Sequence, residues 1–283
     1  AGMSRGARLS YPPAIRAALY FVLTLFAVLA LYPVLHTVAT SLKTAREYVD
    51  NKLLWPEAPT LENYVLVIVA GKMLRYFVNN CLLMPLAMVV YLLVCLSAGF
   101  AFGRLRFPFR LPIFLVVLFL MIFPQLLLSI QIFQVCRSLH LVNSYLGLML
   151  VWVAYFAPFG TYIMTTYYSR VPMEIIESAR IDGANTWQIL FRLMIPIAMP
   201  MVGIIVIIGF QSMWNELPFS LLLLQKDSLR TITLGIGLMQ GQYGLDDTVL
   251  TAAIMTASAV PFLLFLFFQK YIAMGAFAGA VKG

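Results

Sequence analysis

An all-α integral membrane fold is predicted for this chain, with six transmembrane helices and both termini on the cytoplasmic side. Three observations predict it. Of the 283 residues, 62% are hydrophobic and 11% are charged, against roughly half and a quarter in a soluble domain. The charges are segregated: residues 17–42, 76–103, 111–136, 138–169 and 248–269 carry none, and 193–225 carries only Glu216. Cations are also shared unequally between alternate loops, and lysine and arginine in short loops mark the cytoplasmic face. With the N-terminus inside, that face holds eleven cations (Arg5, Arg8, Arg16, Arg104, Arg106, Arg110, Arg170, Arg180, Arg192, Lys270 and Lys282) against Glu174, Glu177 and Asp182. The other face holds eight cations against seven acids. The net charge of +8 therefore reports membrane topology, and no nucleic-acid partner is expected.

A run of about 20 apolar residues crosses a roughly 30 Å hydrocarbon layer as a helix that satisfies its own backbone hydrogen bonds. On that basis one membrane domain over 1–283 has spans near 15–36, 77–103, 111–133, 145–168, 199–223 and 250–270. The first span follows Arg5, Arg8 and Arg16, as the apolar region of a signal peptide would, but it exceeds the roughly 7–15 residues of such a region. It is read as a membrane helix. The loop 37–75 is punctuated by Trp55-Pro56 and Pro59-Thr60, and Thr60 is placed to cap a short helix through Asn63 and Tyr64. The basic, aromatic turn 104–110 suits a lipid headgroup layer. Cys81, Cys95 and Cys136 fall within or beside spans and read as small apolar side chains. His36 and His140 have no evident partners, and no metal site is expected.

The loop 170–198 is too polar to span and too patterned to be a linker. Pro172 suits the start of a helix, Glu174 and Glu177 follow in its early turns, and Asp182-Gly183 is a stop signal. Asn185 with Gln188 forms a capping-box pattern that starts a second helix. Trp187, Leu190, Phe191 and Met194 recur at helical spacing as one apolar stripe, expected largely to pack beneath the chain's own spans. That leaves the first helix and the Asp-Gly turn for a cytosolic partner.

This loop carries a resemblance. Glu177-Ser178-Ala179-Arg180-Ile181-Asp182-Gly183-Ala184, followed by Phe191 and Ile195-Pro196, resembles the EAA motif of ABC importer permeases, with Ser178 replacing one small residue by another. Pro59-Thr60 with Asn63-Tyr64, Asn79-Asn80, Gly103-Arg104, Asn143 to Gly147, Trp214-Asn215-Glu216 and Gly279 to Gly283 are similar to the carbohydrate-uptake, MalG-like branch of that family. Gln131 departs from it, standing where the branch usually has proline. The resemblance implies a multi-pass permease of a bacterial or archaeal inner membrane, importing a sugar or oligosaccharide. It further implies a second, MalF-like permease subunit, an ATPase dimer that receives one loop in each surface groove, and an extracytoplasmic solute-binding protein. Glu174, Glu177, Ser178, Ala179, Asp182, Gly183 and Ala184 would form the coupling surface. The chain has no G-x-x-x-x-G-K-[ST] phosphate loop, so ATP and Mg belong to the partner ATPase. This chain is expected to bind no cofactor and to catalyse nothing.

Glu177 either pairs with the partner or caps its own helix. Gly183, if its φ is positive, resists any side chain, so Gly183→Arg is expected to abolish transport and ATPase docking without preventing insertion. Inside the spans, Glu216 is the one ionisable residue, read either as a structural hydrogen-bonding group or as part of a pathway. Gln211, Trp214, Asn215 and Pro218 are expected to share a helical face, where amides and an aromatic ring suit a sugar. Gln125, Ser129 and Gln131 on span three are candidates of the same kind, with interhelical contact as the alternative for both groups. Apart from Arg16 and Lys270 at span ends, the spans contain no cation, which favours a neutral solute over an anion such as glycerol phosphate; a polyol is an alternative. A single intramembrane carboxylate disfavours a stand-alone secondary transporter, and no catalytic cluster supports a membrane enzyme.

Overall fold

The computed structural model describes residues 12–243 and 246–280, and every regular element among them is helical. Arg5, Arg8 and the closing Val281-Lys282-Gly283 lie outside the described residues. The first helix, α1 (Pro13–Ser41), opens with proline in its first turn, where a missing N–H costs nothing. Most of α1 is exposed, with only Ala39, Thr40 and Ser41 buried at its end, and it packs along the last helix. Two short helices follow, α2 (Ala45–Asp50) and α3 (Glu62–Val69). Buried Lys43 donates to the Asn51 carbonyl at the end of α2 (2.6 Å), and buried Asn63 donates to the carbonyls of Ser41 and Lys43. Thr60 accepts from the Glu62 amide at the start of α3, one residue outside the cap position.

The spine is α4 (Met73–Arg104) packed on α7 (Tyr145–Tyr168). They approach closely because Gly99 and Gly103, spaced G-x-x-x-G, carry no Cβ; one at Gly99 would lie 2.4 Å from the Met164 Cβ, and one at Gly103 3.0 Å from that of Tyr168. Small residues at this spacing let membrane helices meet at backbone distance. Arg104 Nε closes the pair by donating to the Tyr168 carbonyl (2.6 Å).

Between these helices the expected third span is broken. Helix α5 (Arg110–Phe119) tightens into a 3-10 turn, Leu120–Ile122, and α6 (Gln125–Ser138) leaves at 109°. Pro124 explains the break: it forces the preceding residue out of the helical region, and Phe123 has φ −77° and ψ 123°. A charge-free run therefore did not mean one straight helix over 111–133.

The remainder comprises α8 (Met173–Ile181), α9 (Thr186–Gln188), a π-helical turn Ile189–Met194, α10 (Ile195–Ile197) and α11 (Met199–Trp214), with an 83° bend between the last two. Then follow α12 (Pro218–Leu223), α13 (Ile232–Tyr243) and α14 (Asp247–Ala280). The expected fifth span, 199–223, thus stops at Trp214 and resumes as a separate short helix. Four described helices are long and apolar enough to cross a membrane, or up to six if each bent pair counts as one span.

At the end of the bundle opposite loop 170–198, the segment linking α12 to α13 is tied down. Asp227 accepts from Lys72 (2.8 Å), Tyr76 (2.8 Å) and Arg230 (3.0 Å). Asn79 donates to the carbonyls of Ser228 and Arg230, and Asn80 accepts from the Ile232 amide. Asn143, with φ 57°, accepts from the Lys226 amide, and its own amide donates to the Leu223 carbonyl.

Candidate functional site

Two regions hold the residues singled out from the sequence. The first is the loop 170–198. Helix α8 begins after Pro172 and ends in a Schellman arrangement: the Ala184 amide donates to the Ala179 carbonyl (2.9 Å) and the Gly183 amide to that of Arg180 (3.0 Å). This geometry needs a left-handed residue, and Gly183 has φ +84°. A Cβ there would meet nothing within 4 Å, so the cost of a small side chain lies in the backbone and not in a clash within this chain. Asn185 and Gln188 form the reciprocal capping box.

The apolar stripe divides. Leu190 and Met194 are buried with Ile176 and Ile189, and the π-helical turn packs beneath α4. Trp187 and Phe191 instead stack on each other outside (6.1 Å between centroids), and Trp187 is 64% exposed. The wider winding of the π turn separates two columns that an α-helix would hold closer together; Pro196 contributes, because it has no N–H to bond back to the preceding turn. Glu174, Glu177 and Asp182 stand exposed beside Ile181, which is 86% exposed. The Glu177 carboxylate bonds to no described residue and caps nothing. Ser178 is exposed, its hydroxyl donating to the Glu174 carbonyl of its own helix, while Ala179 and Ala184 are half-buried. The loop thus exposes three acids together with the apolar side chains of Ile181, Trp187 and Phe191. Trp187 and Phe191 were legible as part of the helical periodicity; Ile181 lay outside that stripe.

The second region surrounds the two helix breaks. Glu216 is 3% exposed and accepts five hydrogen bonds: from Gln125 Nε2 (2.6 Å), Trp152 Nε1 (2.9 Å), the amides of Phe219 and Ser220, and Ser220 Oγ (2.8 Å). The carboxylate therefore caps the free amides at the start of α12, and it joins that helix to the first residue of α6 and the middle of α7. Ser129, also buried, donates to the Gln125 carbonyl (2.8 Å). Trp152 belongs to this cluster and was missed; a buried indole N–H in an apolar run needs an acceptor, which was the available signal.

The face expected to carry Gln211, Trp214, Asn215 and Pro218 does not exist as one helical face, because α11 ends at Trp214 and Pro218 begins α12. Gln211, Trp214 and Asn215 do meet, lining a cavity of about 430 Å³ with Thr233 and Ser258. Trp214 is buried and stacked on Phe210 (5.3 Å), and Asn215 Nδ2 donates to the Gln211 carbonyl (3.0 Å). Gln131 stands apart, in the lining of a cavity of about 460 Å³ between α6 and α7 whose other walls include Leu128, Ile132, Val135, Leu150 and Tyr155.

With this geometry in hand, comparison with known proteins is specific. Residues 68–276 match the family model for the inner membrane component of binding-protein-dependent transport systems. The chain is 31% identical over 262 residues, 92% of its length and 94% of the relative's, to the trehalose/maltose transport system permease protein MalG of Thermococcus litoralis. It is 28% identical over 268 residues, 93% of its length and 94% of the relative's, to the galactooligosaccharides transport system permease protein GanQ of Bacillus subtilis. It is also 28% identical over 254 residues, 89% of each chain, to the sulfoquinovosyl glycerol transport system permease protein SmoH of Agrobacterium fabrum. The fold matches a chain of a bacterial ABC transporter involved in import of the acidic polysaccharide alginate, with a TM-score of 0.80 and 23% identity, over 93% of this chain and 99% of that one.

Proposed function

The chain belongs to the family of inner membrane components of binding-protein-dependent transport systems, and we propose that it is one of two membrane subunits of an ATP-driven importer of a sugar or oligosaccharide. It is a multi-pass permease of the inner membrane, and its relatives include permeases named for trehalose and maltose and for galactooligosaccharides. In this reading each bent helix pair counts as one span, giving six, with loop 170–198 in the cytoplasm. A MalF-like subunit completes the pathway, a solute-binding protein delivers substrate from outside, and ATP with Mg is held by an ATPase dimer.

The observation that carries the proposal is the outward face of loop 170–198. Ile181, Trp187 and Phe191 are left uncovered on the same loop as exposed Glu174, Glu177 and Asp182, a mixture suited to a groove on a cytosolic partner. Burial of Ile176, Ile189, Leu190 and Met194 links that face to the bundle, so a push on α8 reaches α4 and α11. From α11 the displacement passes through Glu216 to α6 and α7, which lets ATPase closure reset the spans.

The test is co-expression with the partner ATPase. Trp187→Ala with Phe191→Ala is expected to insert normally but to lose ATPase co-purification and sugar-stimulated ATP hydrolysis. Undiminished co-purification by an inserted double variant would overturn the docking assignment. A chain that captures no ATPase at all would overturn the function.

A further inference from the structure

We propose that a cleft at mid-depth in this subunit contacts one ring of the transported saccharide. The cleft has a volume of about 280 Å³ and lies between α4, the 3-10 turn, α7 and α11, with walls that include Tyr91, Met121, Tyr155, Phe156, Phe159 and Ser212. None of these was expected from the sequence. The proposal rests on the sugar-importer reading above and adds the place and the side chains that meet the sugar.

The first support is the broken third span. Between Leu120 and Pro124 the backbone leaves the helical hydrogen-bond pattern, and such backbone cannot face lipid at membrane depth; it is tolerated only against protein or a water-filled cavity. Leu120, Met121 and Ile122 are nevertheless exposed, and of this stretch the Phe123 carbonyl accepts from the Tyr155 hydroxyl (3.3 Å). The exposed side of the turn therefore faces the second membrane subunit or water and not lipid, and the cleft opens on that side. Tyr91 and Tyr155 lie near the midpoints of α4 and α7, so the cleft lies deep in the bundle.

The second support is the chemistry of the walls. Tyr155 and Phe156 meet edge to face, 5.2 Å apart at 79°, and Phe159 is 39% exposed, so the cleft offers aromatic surface in more than one orientation. Ser212 lies in the same wall, and its hydroxyl bonds to no described residue, leaving a donor and an acceptor free. Aromatic faces suit the C–H face of a sugar ring, and the free hydroxyl suits its oxygens; an acyl chain has no use for the serine. No charged side chain lines the cleft, which fits a neutral ring. The floor is fixed, because the Tyr91 ring fills the space where a Gly209 Cβ would stand, 2.5 Å away. The volume falls just below the roughly 300–1,000 Å³ of pockets that enclose a whole drug-sized ligand, which suits one ring of a longer chain.

Of the candidates named from the sequence, Gln125, Ser129 and Glu216 are spent on one another and on Trp152 and have little capacity left for a solute, whereas Gln131, Gln211 and Asn215 line other cavities.

The experiment uses the assembled complex with its binding protein and ATPase in membrane vesicles. Ser212→Cys is made with Cys81→Ser, since Cys95 and Cys136 are buried. It is probed with a permanently charged methanethiosulfonate reagent during ATP turnover, with and without maltose, trehalose, a galactooligosaccharide or an arabinooligosaccharide. Labelling is expected, and it should slow when a sugar that the wild type transports is added. Phe159→Leu is expected to lower transport about tenfold, the scale of one lost aromatic contact, with binding-protein-stimulated ATP hydrolysis retained; Phe159→Tyr should restore transport. Failure of the reagent to label would mean that lipid or the second permease subunit fills the cleft, and would overturn the proposal. Labelling indifferent to a transported sugar, or wild-type transport by Phe159→Leu, would overturn it as well. A wild-type complex that moves none of the sugars would instead defeat the sugar reading on which the site rests.

Discussion

Five donors converge on Glu216, and an ionised carboxylate is the side chain that offers acceptors alone on both oxygens. Glu216→Gln preserves shape but turns an amide N–H₂ toward groups that are themselves donors. The expected loss is about 2–3 kcal/mol, from one side of the cluster left unpaired. Glu216→Leu should lose more, because Trp152 and two backbone amides are then stranded. Thermal unfolding of the purified complex, followed by tryptophan fluorescence, measures both; equal melting temperatures for wild type and Glu216→Leu would remove Glu216 from its structural role. At Gly183 the argument is about φ alone. With open space around its missing Cβ and φ at +84°, Gly183→Ala should cost about 1 kcal/mol locally, and Gly183→Asn less, since asparagine tolerates this region best. ATP hydrolysis coupled to transport should follow the order Gly, Asn, Ala, with Gly183→Arg lowest because its bulk enters the partner's side. An alanine variant better coupled than the asparagine one would contradict the backbone explanation.

Among elements, the segment from α12 to α13 depends on contacts no local pattern reveals. Asp227 meets Lys72 and Tyr76 across more than 150 residues of sequence. The hydrogen bond from Lys72 foremost, then those from Tyr76 and the charge of Arg230, holds the Asp227 carboxyl below the usual range. A carboxyl with a depressed folded-state pKa stabilises fully above its unfolded value, near about 3.9, and loses that contribution as pH falls through the folded value. Asp227→Asn should therefore cost up to about 1 kcal/mol at neutral pH, since both charged partners are partly exposed. The melting-temperature gap between variant and wild type should stay level down to about pH 5 and close below about pH 4; a gap that persists in acid would show that the ion pair is not its source. The same contrast explains what the sequence could convey. Helix α7 covers the residues expected of it, 145–168, within a longer charge-free run, and the capping box at Asn185 is visible because both partners lie within one turn. The breaks at Phe123 and Asn215 were passed over because hydropathy does not register backbone geometry. Pro124 was a usable local signal for the first, but the second is stabilised by Gln125 and Trp152, which are remote in sequence from Glu216. The candidate site suffered most, since the aromatic cleft draws one wall from each of four separate elements.

For the whole molecule, the distribution of charge and the fold make a joint claim about orientation. Arg104 and loop 170–198 lie at one end of the α4–α7 pair, and Lys72, Asn143 and Asp227 lie at the other. The cation excess falls on the first end, and lysine and arginine in short loops are retained in the cytoplasm. If this holds, the exposed side chains of Ile181, Trp187 and Phe191 meet an ATPase, and the Asp227 clasp faces the incoming solute. Single cysteines decide it, placed at Glu57 and Ile181, both exposed, in a Cys81→Ser background. In intact cells a membrane-impermeant maleimide should label Glu57→Cys and spare Ile181→Cys, and inverted vesicles should reverse the pattern. A reversed result in cells would put the coupling loop outside, beyond the reach of any cytosolic ATPase. The fold would survive that outcome; the mechanism of force transfer through loop 170–198 would not.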